Sequence, residues 1–371
     1  MKIYPVESRH DLNAFIELPY RVYSDDPVWI PPLRDEQRKQ FDPKHNPFLI
    51  HCDWQLFLLK DEGEVIGRIA AFVDNLAVEF WEERIGLFGY FECIQDKEAA
   101  RLLLEAAQNW LRVSGCSHMR GPWSFVSQEW GMVVEGFVPS PVLMAPYNPP
   151  FYNDFLTDFG MRKVKDLLCW YISIAEGYEI PERILKLTDA VTERYGVRIR
   201  EIDVRRYDQE VETLIDLSNA SIIENWGFSP VTEAEVRAMA RDMKPILQPR
   251  GVLFAEDKSG RPIGFAITLP DINSLLKGLN GRLLPFGFIK MLWGIPRLRR
   301  YRMFALGVIP EYQGKAVDSL IYRSLHKSLY APDLWVEINY VLEDNWAMIN
   351  AIKKLGAKPL RRYRVYEMDM E

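Results

Sequence analysis

Gln313-Gly314-Lys315-Ala316-Val317-Asp318 stands between an apolar run at 303–309 and a helical pattern at 315–330. A chain that leaves a strand and enters a helix there presents unpaired backbone N–H groups at the positive end of the helix dipole, and pyrophosphate binds well to such a turn. Gly314 and Ala316 are small enough to let a phosphate approach the backbone, and Lys315 adds positive charge. Asp318 falls in the first helical turn, where a carboxylate suits the dipole but opposes a phosphate. At intermediate dielectric, two such charges a few Å apart repel by on the order of 1–4 kcal/mol. Downstream, "LWVEINYV" at 334–341 has the alternation of a strand that puts Trp335, Glu337 and Asn339 on one face. Other chemistries have less behind them. The five histidines, at 10, 45, 51, 118 and 326, form no HxxxH or HExxH pattern, so no metal site is predicted. No GxSxG nucleophile elbow occurs.

The elements that must carry these residues come twice. In the first half, "WQLFLLKDEGEVIGRIAAFVD" reads as a hairpin, "IGLFGYFECI" as the next strand, and "KEAARLLLEAAQNWLRVSG" as a helix with an apolar stripe. A short helix at 11–18 is stopped by Pro19, and another lies near 33–41. In the second half, Thr232 and Glu235 have capping-box spacing at the head of a helix. "GVLFAEDKSGRPIGFAITLP" is again a hairpin, followed by the strand, turn and helix of the opening motif. Each hairpin's second strand opens on an apolar-glycine pair, Ile66-Gly67 and Ile263-Gly264. Each half closes on Asn, short helix, Gly and basic strand, Asn148 to Gly160 and Asn345 to Gly356. The pattern predicts two α/β domains, 1–175 and 196–371, joined by a linker helix at 176–195.

Strand, loop, helix, strand and Asn-helix-Gly in that order resemble the GNAT superfamily of N-acetyltransferases. The family's loop runs Gln or Arg, two residues, Gly, one residue, Gly or Ala. Gln313 matches, Ala316 takes the first glycine position and Asp318 replaces the second. "NWAMINAIKKLGA" is similar to the family's later Asn-to-LGF stretch, with Ile352 where a tyrosine often protonates the departing thiolate. The first half shares the topology without the loop, since "ECIQDKEAARLL" has no glycine and opens on Glu92.

The resemblance implies two tandem GNAT-like domains, each a twisted mixed β-sheet flanked by helices, with a site for acetyl-CoA or a longer acyl-CoA in the second. It implies coenzyme contacts from Leu306, Val308, Gln313, Gly314, Lys315, Ala316, Val317, Asp318 and Asn345. The implied reaction is acyl transfer to a small or amphipathic amine. That needs a polarised thioester carbonyl, a base for the amine and an exit for the thiolate. Glu337 is the candidate base, and Tyr340 or Tyr322 the candidate acid. Two plainer readings stand beside these: Glu337 as a solvated strand residue in an ion pair, and Asn345 as a helix N-cap, a role compatible with a place at the cleft mouth. Ala316, Asp318 and Ile352 also suit a non-catalytic ligand-binding or regulatory protein built from the same domains. Transfer from an aminoacyl-tRNA, known for tandem domains of this shape, is a third reading.

The net charge of −6 argues against a general nucleic-acid partner. Four scattered cysteines and a polar N-terminus predict a reduced, cytoplasmic setting. One stretch departs from the acidic balance. No Asp or Glu occurs from Ile272 to Pro310, whereas Lys277, Arg282, Lys290, Arg297, Arg299, Arg300 and Arg302 do. Phe286, Phe288, Ile289, Leu292 and Trp293 lie among them. This pattern fits a lid over a hydrophobic acceptor, a helix packed on the core, or peripheral contact with an anionic membrane through 283–302. Trp123, Trp130, Tyr147 and Tyr152 fall in first-half loops, as walls of a cleft or as filling between domains.

Overall fold

β1 (Lys2–Pro5) pairs with β2 (Cys52–Asp61), and β2 with β3 (Glu64–Asp74) across the Glu62-Gly63 turn, in a computed structural model that describes residues 1–126, 129–222, 225–285 and 287–370. β4 (Ile85–Cys93) continues this antiparallel run, and after the helix Lys97–Val113 the chain returns as β5 (His118–Gly121), parallel to β4. Asp96 caps that helix by accepting from the Ala99 N–H, and Leu103, Leu104, Ala107 and Leu111 are buried along one face. β6 (Met132–Glu135) and β7 (Arg162–Ser173) complete the first half.

The second half repeats the order. β8 (Arg198–Glu201), β9 (Val252–Glu256), β10 (Pro262–Pro270) and β11 (Arg300–Val308) are antiparallel neighbours. The helix Val317–Leu329 then leads to β12 (Trp335–Leu342), parallel to β11. β13 (Lys358–Asp369) ends the chain. The linker helix, Glu182–Tyr195, falls inside the predicted segment.

The two halves exchange their last strands. β13 pairs with β5 of the first half and with β7, while β7 pairs with β12 of the second. One sheet of order β1-β2-β3-β4-β5-β13-β7-β12-β11-β10-β9-β8 therefore runs through the whole chain. Alternation shows which side chains share a face, but it does not say which strand lies alongside.

Two local expectations are corrected. Pro19 does not stop the first helix, which runs Arg9–Val22. A proline at 19 cannot donate to the Phe15 carbonyl, and the buried Arg68 Nη1 donates to that oxygen instead, at 2.8 Å. Asn148 does not open the helix Phe151–Asp158; its Oδ1 accepts from the Val133 N–H at 2.7 Å and so ties down β6. The capping box is as predicted: Thr232 Oγ1 accepts from the Glu235 N–H, and Glu235 Oε1 from the Thr232 N–H.

The halves differ where parallel strands meet. β4 and β5 pair over Ile85–Leu87, and the chain beyond β5 stays close, with the Trp123 N–H donating to the Phe88 carbonyl at 2.7 Å. A Cβ on Gly89 would lie 1.7 Å from the Trp123 oxygen, so the first-half junction is closed by backbone. Glu92, at the head of the loop, is half-buried and accepts from the hydroxyls of Tyr23 and Tyr152. In the second half the same junction is open.

Candidate functional site

β11 pairs with β12 only from Arg300–Met303 to Trp335–Ile338; beyond that the strands part. On its other edge β11 carries a bulge, since Ile267 faces Ala305 and Thr268 faces Met303, leaving Phe304 as the extra residue. A bulge of this kind bends a strand and re-aims it. The wedge opens into a cavity of about 860 Å³, within the size range of small-molecule sites. Residues 303–308 and 338–342 line it from the strands. Leu214, Ile215, Val236 and Met239 line it from the helices Tyr207–Ile222 and Glu233–Met243, and Trp123 and Trp130 from the first half.

Of the loop residues, Gln313, Gly314 and Asp318 line the cavity, as do Leu306, Val308 and Asn345. Gln313 Nε2 donates to the Val308 carbonyl at 3.1 Å. Gly314 has φ +71°, and a Cβ there would meet nothing within 4 Å, so the backbone is open to a ligand. Ala316, at φ +59°, is the helix N-cap and supplies no side-chain cap. Glycine adopts that left-handed conformation freely, whereas Ala316 holds it with a Cβ. Val317 is buried in the second-half core, and Lys315 lies over the Tyr312 ring at 4.5 Å, outside the cavity wall. Burial pushes the Asp318 carboxyl up, although hydrogen bonds from the Ser319 amide and its own pull it down. Asn345 Oδ1 accepts from the Met348 N–H at 3.1 Å, so it is both N-cap and cavity residue.

At the closed end of the wedge, β12 breaks its register between Ile338 and Val341, and both Asn339 and Tyr340 line the cavity. Among the described residues, neither the Tyr340 hydroxyl nor Asn339 Oδ1 has a hydrogen-bond partner. Burial drives the Tyr340 hydroxyl well above its ordinary value, against the pull of Arg302. Tyr322 also lines the cavity, its hydroxyl 3.3 Å from Met348 Sδ, and burial pushes it up. Glu337 stands outside the wall. It is fully buried, with Oε1 accepting from Asn339 Nδ2 at 2.9 Å and Oε2 without a partner among the described residues. Burial pushes its carboxyl up, opposed by Arg361, Arg300 and Arg302. The solvated, ion-paired reading of Glu337 is thus overturned for the described residues. Ile352, buried at 0% exposure, belongs to the core.

Several residues here escaped the sequence reading. Arg302, grouped there with the basic stretch, is 1% exposed and lines the cavity, with Nη1 donating to the Leu143 and Met144 carbonyls of the first half. Its place on an apolar strand was the available signal. Trp226 stacks near Trp130, their ring centroids 6.2 Å apart, and Gly227, at φ +74°, brings the chain close to both Trp123 and Trp130. Tyr147 and Tyr152, by contrast, lie outside the wall, bonded to Asp26 and to the Glu92 pair. Glu129 adds a carboxyl that burial pushes up and Arg302 pulls down.

The first half also clamps the cavity's helical wall. His51 Nδ1 lies 2.9 Å from Asp74, and Nε2 3.1 Å from Glu235, a cavity residue. His51, Cys52 and Asp74 are close enough to hold a metal ion, but carboxylates take both imidazole nitrogens. Burial also holds the Cys52 thiol at about 12, well above the thiolate range. Burial pulls His51 down, yet its hydrogen bonds to Asp74, Cys52 and Glu235 outweigh this and raise it to about 12 from 6.5. Burial pushes Glu235 up, and its bonds to His51 and Thr232 outweigh that and hold it below 4.5. A raised histidine stabilises fully below 6.5 and progressively less as pH climbs toward 12; a lowered glutamate stabilises above 4.5. The clamp is therefore strongest between those values. The melting-temperature advantage of the native chain over His51→Gln should shrink steadily from pH 6 to pH 9.

No protein-family model matches the sequence. It is 35% identical to Protein YghO of Escherichia coli (strain K12) over 97% of this chain and 93% of that one. It is 34% identical to the bacterial ceramide synthase of Caulobacter vibrioides over 99% and 97%. Among solved structures it is similar to a tandem GNAT protein from the clavulanic acid biosynthesis pathway, with TM-score 0.59, 13% identity, and 100% and 98% of the two chains covered. The fold is that of tandem GNAT proteins.

Proposed function

Because the chain belongs to the family of Protein YghO and the Caulobacter ceramide synthase, we propose that it is an acyl-CoA-dependent N-acyltransferase acting on a long-chain, amphipathic amine. One observation carries this reading: the open wedge between β11 and β12, with a bare left-handed loop at one side and a mainly apolar cavity of about 860 Å³ behind it. The cavity is far larger than an acetyl group needs, and its helical wall is mostly apolar, with Ser218, Asn219 and Glu235 among its polar members. The activity named for the Caulobacter relative, which yields a lipid amide, suits the same chemistry.

The residues fit the coenzyme. Gly314 leaves room for a phosphate, and the helix Val317–Leu329 turns its N-terminus toward the same side. When bound, acyl-CoA supplies an activated thioester; transfer to the neutral amine breaks the C–S bond, forms a C–N bond and passes the amine's proton to the departing sulfur, leaving an amide and a free thiol. The unpaired edge of β11 beyond Phe304 offers backbone N–H groups for the carbonyl oxygen. Tyr340, kept protonated by burial, donates a hydrogen bond as charge develops. Asn339 Oδ1 accepts from the amine, and Glu337, holding Asn339 Nδ2, positions that amide; the carboxylate itself acts from behind the wall. Tyr322 stays a neutral wall residue near the loop.

The test is incubation of the full chain with a long-chain acyl-CoA and a long-chain amino alcohol, following free thiol and amide by mass spectrometry. Amine-dependent thiol release with a matching amide is the expected result. Acyl-CoA binding by calorimetry with no amide from a panel of amines would leave a ligand-binding protein, the reading that Asp318 favours.

A further inference from the structure

The link between β10 and β11 carries five large apolar side chains in the open: Leu284 is 78% exposed, Phe288 52%, Ile289 55%, Leu292 56% and Trp293 68%. Apart from Leu284 they belong to the helix Gly287–Gly294, and the sequence-singled Phe286 lies outside the described residues. The inner side of this segment is anchored. Ile272, Leu276 and Leu298 form a small core against which Met291 and Ile295 pack. The outer side has no such cover among the described residues, and contiguous apolar exposure of this kind marks an interaction surface.

Charge identifies what covers it. Lys277, Arg282, Lys290, Arg297 and Arg299 fall in or beside the same segment of the chain, and none forms an ion pair among the described residues; Lys277 Nζ donates to the Pro27 carbonyl. Elsewhere the chain pairs its cations densely: Arg101 meets two glutamates, Arg200 two and Arg364 an aspartate. Lys290 Nζ and Arg297 Nη1 donate only to backbone carbonyls, of Lys277 and Trp293. Only Arg300 and Arg302 of the stretch turn inward, Arg300 to Asp271 and Arg302 to the cavity wall. Exposed apolar side chains interleaved along the segment with cations that have no carboxylate partner among the described residues, in a chain of net charge −6, complement an anionic bilayer.

We propose that residues 282–299 seat the protein on anionic membrane surfaces, with Phe288, Ile289, Leu292 and Trp293 in the headgroup–acyl boundary and the cations against lipid phosphates. No helix among the described residues is long and apolar enough to cross a membrane, so this contact is peripheral. The segment joins two strands that line the cavity, β10 through Ile267 and Leu269 and β11 through 303–308. The surface stands on its own side chains. Its use, delivering a bilayer-held amine to the cavity, rests on the acyltransferase reading and deepens it.

Co-sedimentation of the full chain with phosphatidylcholine vesicles, with and without a third phosphatidylglycerol, tests the proposal. Binding to the anionic vesicles should be at least tenfold stronger and should fall with salt. Leu292→Asp/Trp293→Asp and Lys290→Glu/Arg297→Glu, checked for folding by circular dichroism, should each lower it at least tenfold. Both should leave thiol release with a detergent-dispersed amine unchanged, which separates this test from that of the acyltransferase reading. Equal binding by the variants, no preference for anionic vesicles, or no binding overturns the proposal. So does light scattering that shows a dimer dispersed by Leu292→Asp/Trp293→Asp, because the patch would then join two copies of the chain.

Discussion

Tyr340→Phe is expected to lower kcat for acyl transfer by about 10²–10³-fold while leaving the affinity for acyl-CoA within about twofold, as loss of one preorganised donor does elsewhere. The hydroxyl is buried beside the cavity without a partner among the described residues, so removing it breaks no hydrogen bond to any of them. The ring would stay packed against Trp130, Tyr363 and Arg302, which keeps the fold intact. Its value is pushed well above the ordinary tyrosine range, so the phenol stays protonated and the pH profile of the native enzyme should show no break from it below pH 9. Single-turnover rates for the two proteins at saturating acyl-CoA measure the effect. A loss confined to KM would move Tyr340 from the reaction to simple wall packing.

Two substitutions in the loop should act in opposite directions on binding. Ala316→Trp puts a large side chain at the open helix N-terminus and should abolish calorimetric binding of acyl-CoA, with a change of at least 100-fold. Ala316 already carries the Cβ that a left-handed backbone disfavours, so the larger side chain adds no new penalty of that kind. Asp318→Asn removes the carboxylate that faces the same cavity, and binding should tighten on the order of tenfold. Burial raises the Asp318 carboxyl, so the native protein should itself bind acyl-CoA more tightly as pH falls through that range and the charge is lost. Affinity in Asp318→Asn should be flat over the same interval. If Asp318→Asn weakens binding, the carboxylate is a cap that shapes the loop and not a competitor of the phosphate.

The role proposed for Glu337 shows where strand alternation stops being informative. It groups Glu337 with Asn339, but β12 breaks register just beyond Ile338, and Asn339 and Tyr340 then both reach the cavity while Glu337 is sealed behind them. An irregularity of one residue cannot be read from a run of apolar and polar types, because it arises from the demands of the neighbouring strands. The basic stretch divides for a similar reason. Arg302 and Arg297 differ little in local sequence, yet one is held by first-half carbonyls and the other is left at the surface.

Local chemistry was enough for the parts that are local. The capping box at Thr232, the turn at Glu62-Gly63, the loop from Gln313 to Asp318 and the N-cap at Asn345 each follow from interactions within a few residues, and the sequence alone determined them. The tandem order of elements was legible because helical and strand periodicities differ. Tertiary structure alone decided the exchange of β7 and β13, the closing of the first-half junction by Trp123, the Trp130–Trp226 wall and the clamp of His51 on Glu235. Each joins residues far apart in the chain, and the energy that selects such a partner lies in burial and register across the assembled sheet, where no short window of sequence records it.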